Sequence, residues 1–137
     1  MNRSVASPTD ARPSFAAECA TVFIGGFVGA LARYGLVELF GSYGGSWPWP
    51  IFLANVAGCA ILGFIIAHRG TGLEVTLIGT GFCGALTTFS TFQLEIYDLL
   101  DAHEYFMAFA YPVVSIICGF LAVTSARRYV NRGKELA

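Results

Sequence analysis

Four apolar runs joined by very short connections constrain this chain more than any other feature. They cover about Cys19 to Phe40, Pro48 to Ala67, Leu73 to Leu100 and Tyr105 to Ala126. Each lies near the roughly 20 residues that a helix needs to cross a bilayer. The links "GSYGGSW", "HRGTG" and "DAHE" are short enough to force neighbouring spans to run antiparallel. With 137 residues, 55% of them hydrophobic and 12% charged, a soluble domain has no interior large enough for so much apolar surface. The expected fold is an all-α membrane protein with four transmembrane helices.

The charges set the orientation. Four spans put both termini and the loop at residues 68–72 on one side. That side carries Arg3, Arg12, Arg69, Arg127, Arg128, Arg132 and Lys134, whereas the opposite loops hold acidic residues such as Asp101 and Glu104 and no Lys or Arg. The positive-inside rule then places both termini in the cytoplasm. Trp47, Trp49 and Tyr43 fall in the outer interfacial belt, beside Pro48 and Pro50 where a helix can begin. Residues 1–18, with Pro8 and Pro13, read as a disordered or loosely bound tail, residues 19–128 as the transmembrane domain, and residues 129–137 as a basic C-terminal tail. A net charge of −1 and the lack of a basic aromatic patch give no sign of a nucleic-acid partner.

No hydrolytic constellation, nucleophile elbow or paired intramembrane carboxylate is present, so an enzyme is not expected. Cys19, Cys59, Cys83 and Cys118 form no C-x-x-C pair and no ligand spacing with His68 or His103; they read as small residues packed between helices. Gly25-x-x-x-Gly29 and Gly26-x-x-x-Ala30 let helix backbones approach closely in lipid, either within one bundle or between subunits.

Polar groups at membrane depth are costly and are therefore functional candidates. Arg33, in the first run, would cost about 2.5–3.5 kcal/mol at a bilayer centre. It either snorkels to the headgroups or faces a water-filled vestibule. Asn55, amid "IFLANVAGCA", must bond a neighbouring helix or point into a pathway. The third run holds the densest cluster, "GFCGALTTFSTF", from Gly81 to Phe92. Gly79, Gly81 and Gly84 weaken the helix, and the hydroxyls of Thr87, Thr88, Ser90 and Thr91 can satisfy freed backbone groups. A third helix broken near its centre is expected, with free carbonyls able to coordinate a hard cation such as Na⁺. Phe89 and Phe92 share a face, and the positive edges of their rings suit a small dry anion.

Taken together, "GGFVGALARYGL", "NVAGC" and "GFCGALTTFSTF" resemble the CrcB/Fluc family of bacterial fluoride channels, over about Cys19 to Arg128. The resemblance implies an antiparallel dimer of four-helix subunits in the bacterial inner membrane, with two fluoride pores and a structural Na⁺ at the dimer centre. It assigns the Na⁺ to the backbone carbonyls of Gly84 and Thr87, and the pore to Phe89, Phe92 and Asn55. Tyr111 and Ser115 fall on the polar track of the fourth span; Arg33 and Glu95 match the family's arginine and acidic residue. Donors from Asn55, Ser90, Thr91, Tyr111 and Ser115 would replace the water that fluoride sheds, without holding it too tightly to leave. No ATP motif or proton-coupling carboxylate is visible, so passive export of fluoride that entered as neutral HF is the implied function.

Three departures stand out. Pro50-Ile51 replaces the Gly-Thr pair common before the second-span motif, and Gly119 stands where some relatives carry serine. The complete Lys/Arg bias outside Arg33 sits uneasily with an antiparallel homodimer, and the alternative is an opposite-facing paralogue. Two rival functions fit the residues less well. A small four-helix multidrug exporter would need a glutamate in the middle of the first span, where only Glu18 and Glu38 lie near its ends. A non-transporting assembly subunit leaves the Thr/Ser/Phe cluster without a purpose.

Overall fold

The computed structural model describes residues 13–41, 47–68 and 72–135. Arg3, Arg12, Tyr43 and Arg69, and most of the N-terminal tail, lie outside the described residues. Within them the protein is all-helical, with four segments long and apolar enough to cross a membrane: Phe15–Phe40, Trp49–His68, Leu73–Asp101 and Tyr105–Lys134.

Helix α1 (Phe15–Phe40) starts where Ser14, in extended conformation, accepts a hydrogen bond from the Ala17 N–H at 3.3 Å. Glu18 in the first turn complements the helix dipole. The helix ends at Gly41, whose φ of 72° is tolerated only without a Cβ and whose N–H returns to the Val37 carbonyl. Helix α2 (Trp49–His68) has Pro50 in its first turn, where the missing N–H has no helical acceptor to lose.

The third span is built in parts. Its first part, α3, covers residues 73–86: a turn at Leu73–Val75, a π-helical stretch at Thr76–Cys83 and a closing turn at Gly84–Leu86. Thr87 and Thr88 follow with extended dihedrals (ψ of 151° and 128°), and α4 runs over Phe89–Asp101. A tight reversal then leads to the last helix. His103 takes the left-handed conformation (φ 62°), and the N–H groups of Ala102, His103 and Glu104 return to Asp98, Leu100 and Leu99. These bonds satisfy the carbonyls that the end of α4 would otherwise leave open.

Helix α5 (Tyr105–Glu135) has 31 residues and spans about 46 Å, well beyond about 30 Å of hydrocarbon. Its polar extension carries Arg127, Arg128, Arg132 and Lys134. Lys134 Nζ donates to the Ala67 carbonyl at 2.7 Å, capping the end of α2 and holding the two helix ends together.

Glycines decide how closely the spans approach. A Cβ at Gly25 would collide with the Leu77 carbonyl oxygen, and one at Gly29 with that of Phe82. The Gly-x-x-x-Gly face of α1 is thus spent inside the bundle, against the π-helical stretch. Gly63 brings α2 onto the Val123 backbone of α5, and a Cβ at Gly58 would strike the Thr87 methyl. Little of each span is covered by the chain itself: across an 18-residue apolar stretch of each, 11% of the first and 28% of the second are buried. Lipid or a partner must cover the remainder.

Candidate functional site

The two extended residues set the chemistry of the third span. Thr87 closes α3 by donating both its N–H (3.0 Å) and its hydroxyl (2.9 Å) to the Cys83 carbonyl. The Thr88 N–H would bond the Gly84 carbonyl in a continuous helix, but here it donates to Asn55 Oδ1 at 2.9 Å. Asn55 Nδ2 donates back to the Thr88 carbonyl at 3.2 Å. One amide side chain from α2 therefore acts as a substitute peptide for the third span. Of the two alternatives open from sequence, Asn55 bonds a neighbouring helix, and it also lines a cavity described below.

Helix α4 starts on the same residue. Thr88 is its N-cap, accepting from the Thr91 N–H at 3.3 Å and donating to Thr91 Oγ1 at 3.2 Å, with Ser90 Oγ at 3.3 Å. This cap has a second effect: the Thr91 N–H is the regular helical donor to the Thr87 carbonyl. The Gly84 and Thr87 carbonyls thus both lose their helical donors, one to Asn55 and the other to the Thr88 hydroxyl.

A cavity of about 490 Å³ opens beside this segment, lined by Asn55, Gly58, Cys59, Leu62, Gly79, Cys83, Gly84, Thr87, Thr88, Phe89, Phe92, Ser115 and Ile116. No carboxylate, imidazole or ammonium lines it. Its polar equipment is amide, hydroxyl, thiol and free backbone, with aromatic rings on one wall. The Ser115 hydroxyl is buried and has no partner among the described residues. Such a site can offer hydrogen bonds to a small ion, but it holds no carboxylate or imidazole for general acid–base work.

Six of the residues that the resemblance assigns to the pore or the Na⁺ meet at this cavity: Asn55, Gly84, Thr87, Phe89, Phe92 and Ser115. The Phe89 and Phe92 rings are stacked, with centroids 6.2 Å apart and planes at 24°. Phe89 is 70% exposed, so one wall of the site is open within a single chain. Phe92 is half-buried and leans on Tyr111, 4.8 Å away between centroids. Tyr111 is fully buried behind the cavity and donates its hydroxyl to Glu95 Oε2 at 2.6 Å. Ser90 and Thr91 reach the site through Thr88 and do not line it. Arg33 is half-buried on α1 and lies outside the cavity wall.

One neighbour was not singled out for this region. Trp47 packs edge-on against Tyr111, with centroids 5.4 Å apart at 88°, and its indole nitrogen is buried without a partner among the described residues. Sequence suggested an interfacial anchor, a reading that fits the half-exposed Trp49 better. Nothing in the residue pattern indicates that the Trp47 nitrogen is unpaired.

Comparison with known proteins bears on this arrangement. Residues 20–127 match the family model described as CrcB-like protein, Camphor Resistance (CrcB). The "Fluoride-specific ion channel FluC 1" of Mycolicibacterium paratuberculosis is 42% identical over 120 residues, covering 84% of this chain and 91% of the relative. "Fluoride-specific ion channel FluC 2" of Rhodococcus jostii is 42% identical over 101 residues, 74% of this chain and 88% of the relative. "Fluoride-specific ion channel FluC" of Ignicoccus hospitalis is 41% identical over 115 residues, 81% and 93% respectively. The matched region takes in most of the first and last spans, all of the second and third and the whole cavity, and on that ground this multi-pass membrane protein belongs to the CrcB family.

Proposed function

We propose that this chain is a fluoride-selective channel that lets cytoplasmic fluoride leave a bacterial cell passively across the inner membrane. The observation that carries the reading is the convergence of Asn55, Thr88, Ser115, Phe89 and Phe92 on one cavity without titratable oxygen or imidazole, in a chain related to proteins named fluoride-specific ion channels. Fluoride sheds its water only where donors replace it. The second Nδ2 hydrogen of Asn55 and the unpartnered Ser115 hydroxyl are available for that purpose. Phe89 and Phe92 offer positively polarised ring edges, which stabilise an anion weakly enough to release it.

Two further parts of the proposal follow from the same segment. The third span works as a discontinuous membrane helix, and the working unit is an antiparallel dimer in which a second copy covers the exposed face of Phe89. A structural Na⁺ at the dimer centre fits the Gly84 and Thr87 carbonyls, because these have lost their helical donors and a hard cation prefers oxygen. Its charge would hold the two free carbonyl dipoles of each subunit in place.

The test is fluoride efflux from liposomes containing only this purified chain, read with a fluoride electrode and a chloride control. Rapid fluoride loss without chloride loss is expected, and Phe89→Ile or Phe92→Ile slows it in a folded protein. Unchanged flux in both variants would remove the phenylalanines from the pore. The cluster of Arg127, Arg128, Arg132 and Lys134 at one end of α5 favours a second arrangement, a dimer with an opposite-facing paralogue. In that case the single chain folds but passes no fluoride until the partner is added.

A further inference from the structure

Among the described residues, two buried side-chain polar atoms have no hydrogen-bond partner: Ser115 Oγ and Trp47 Nε1. Ser115 lines the cavity, so its orphaned hydroxyl belongs to the site already described. Trp47 does not line it. An indole N–H is a donor only, and a buried donor left unpaired is destabilising, so its burial here calls for an acceptor that the described residues do not supply.

The position of Trp47 points to what that acceptor is. An aromatic series leads away from the cavity: Phe89 to Phe92 at 6.2 Å, Phe92 to Tyr111 at 4.8 Å, and Tyr111 to Trp47 at 5.4 Å. Trp47 packs in the cluster of Leu99, Ala108 and Tyr111, toward the end of α5 that begins at Tyr105. Ser115 lies one helical turn further in. An anion that passes Phe92 next meets Tyr111, but the single hydroxyl proton of Tyr111 is committed to Glu95 at 2.6 Å. The next uncommitted donor in the series is the Trp47 N–H.

We infer that Trp47 Nε1–H is a second anion-binding point, separate from the cavity, where a dehydrated fluoride is held between Phe92 and the end of the bundle. The inference rests on the channel reading above. A single neutral donor is suited to a transit site: it offers one hydrogen bond and no charge, so it stabilises the ion without trapping it. Compact, strongly accepting fluoride gains more from such a donor than chloride does.

The chain has only two tryptophans, so its indole ¹⁵N–¹H spectrum contains two resonances. Trp49→Phe, which keeps an aromatic ring beside Trp47, assigns them. In the wild-type protein in lipid nanodiscs, the Trp47 resonance shifts saturably as fluoride replaces chloride at constant ionic strength, and the exposed Trp49 does not. Trp47→Phe, which keeps an aromatic ring and removes the N–H, lowers fluoride efflux by roughly three- to tenfold, the factor a single hydrogen bond contributes. A Trp47 signal indifferent to fluoride, in protein that passes fluoride in liposomes, overturns this inference and leaves the channel reading standing. If the same protein neither shifts nor passes fluoride, both fall together. A shift caused equally by chloride overturns the fluoride assignment.

Discussion

Asn55 and Thr88 are joined by two hydrogen bonds that mimic a peptide pair: the Thr88 N–H donates to Asn55 Oδ1 at 2.9 Å, and Asn55 Nδ2 donates to the Thr88 carbonyl at 3.2 Å. The pair ties α2 to the third span at the point where the latter is extended. Asn55→Ala strips both backbone groups of their partners, at roughly 1–3 kcal/mol for each buried group. Asn55→Asp keeps the acceptor, loses the donor and adds negative charge on the cavity wall. Thermal melts in detergent should rank Ala well below wild type. Fluoride efflux should be lower for Asp than for Ala, because the carboxylate repels the anion. An Asp variant that conducts like wild type would remove Asn55 from the anion's path.

The Thr88 hydroxyl is the N-cap of α4 and also the partner of the Ser90 and Thr91 hydroxyls. Thr88→Val keeps the shape and loses the cap, costing about 1 kcal/mol; Thr88→Ser restores it. Fluoride efflux should follow the same order, since without the cap the Thr91 N–H is free to return to the Thr87 carbonyl. Equal melting temperatures for the Val and Ser variants would show that the cap contributes nothing.

The spans and most of their ends are legible in the sequence because lipid burial leaves a hydropathy signal, but the start of the first helix and the end of the last are not. Helix α1 begins at Phe15, before the apolar run, since Ser14 caps it and Glu18 suits its first turn. Helix α5 continues to Glu135 because hydropathy marks what lipid covers and not what is helical. Gly79 and Gly81 are weak helix formers. That the backbone there is π-helical, and that Gly25 and Gly29 of α1 leave room for its Leu77 and Phe82 carbonyls, has no sign in the sequence. At the site, the residue types were readable and the pairings were not. Asn55 had two open roles, and Tyr111 and Glu95, 16 positions apart, carry no sequence sign that they share a proton.

Gly29 and Gly35 lie on the same helix and should respond oppositely to alanine. At Gly29 the new methyl meets the Phe82 carbonyl and the Leu86 nitrogen, backbone that cannot step aside; at Gly35 nothing lies within 4 Å. Gly29→Ala should destabilise the protein by about 1–3 kcal/mol through overpacking. Gly35→Ala should change stability by less than about 1 kcal/mol, in the favourable direction if at all. Detergent melts of the two variants compare them directly. A Gly29→Ala protein as stable as wild type would mean that α1 does not pack so closely on the third span.

Tyr111 and Glu95 form a short bond, 2.6 Å, behind the Phe92 ring, and Tyr111 is fully buried. Tyr111→Phe keeps the ring contacts with Phe92 and Trp47 but leaves Glu95 without its donor. Glu95→Gln keeps an acceptor for the hydroxyl and removes any charge. The two single variants are therefore unequal: Tyr111→Phe should cost more stability than Glu95→Gln. A double-mutant cycle with Tyr111→Phe and Glu95→Ala should return a coupling of about 1–3 kcal/mol, the range for a partly buried bond to a carboxylate. Fluoride efflux separates structure from conduction in the same set. If the carboxylate faces the passing anion, Glu95→Gln conducts faster than wild type at equal stability; if it only holds Tyr111 in place, the rate follows stability alone.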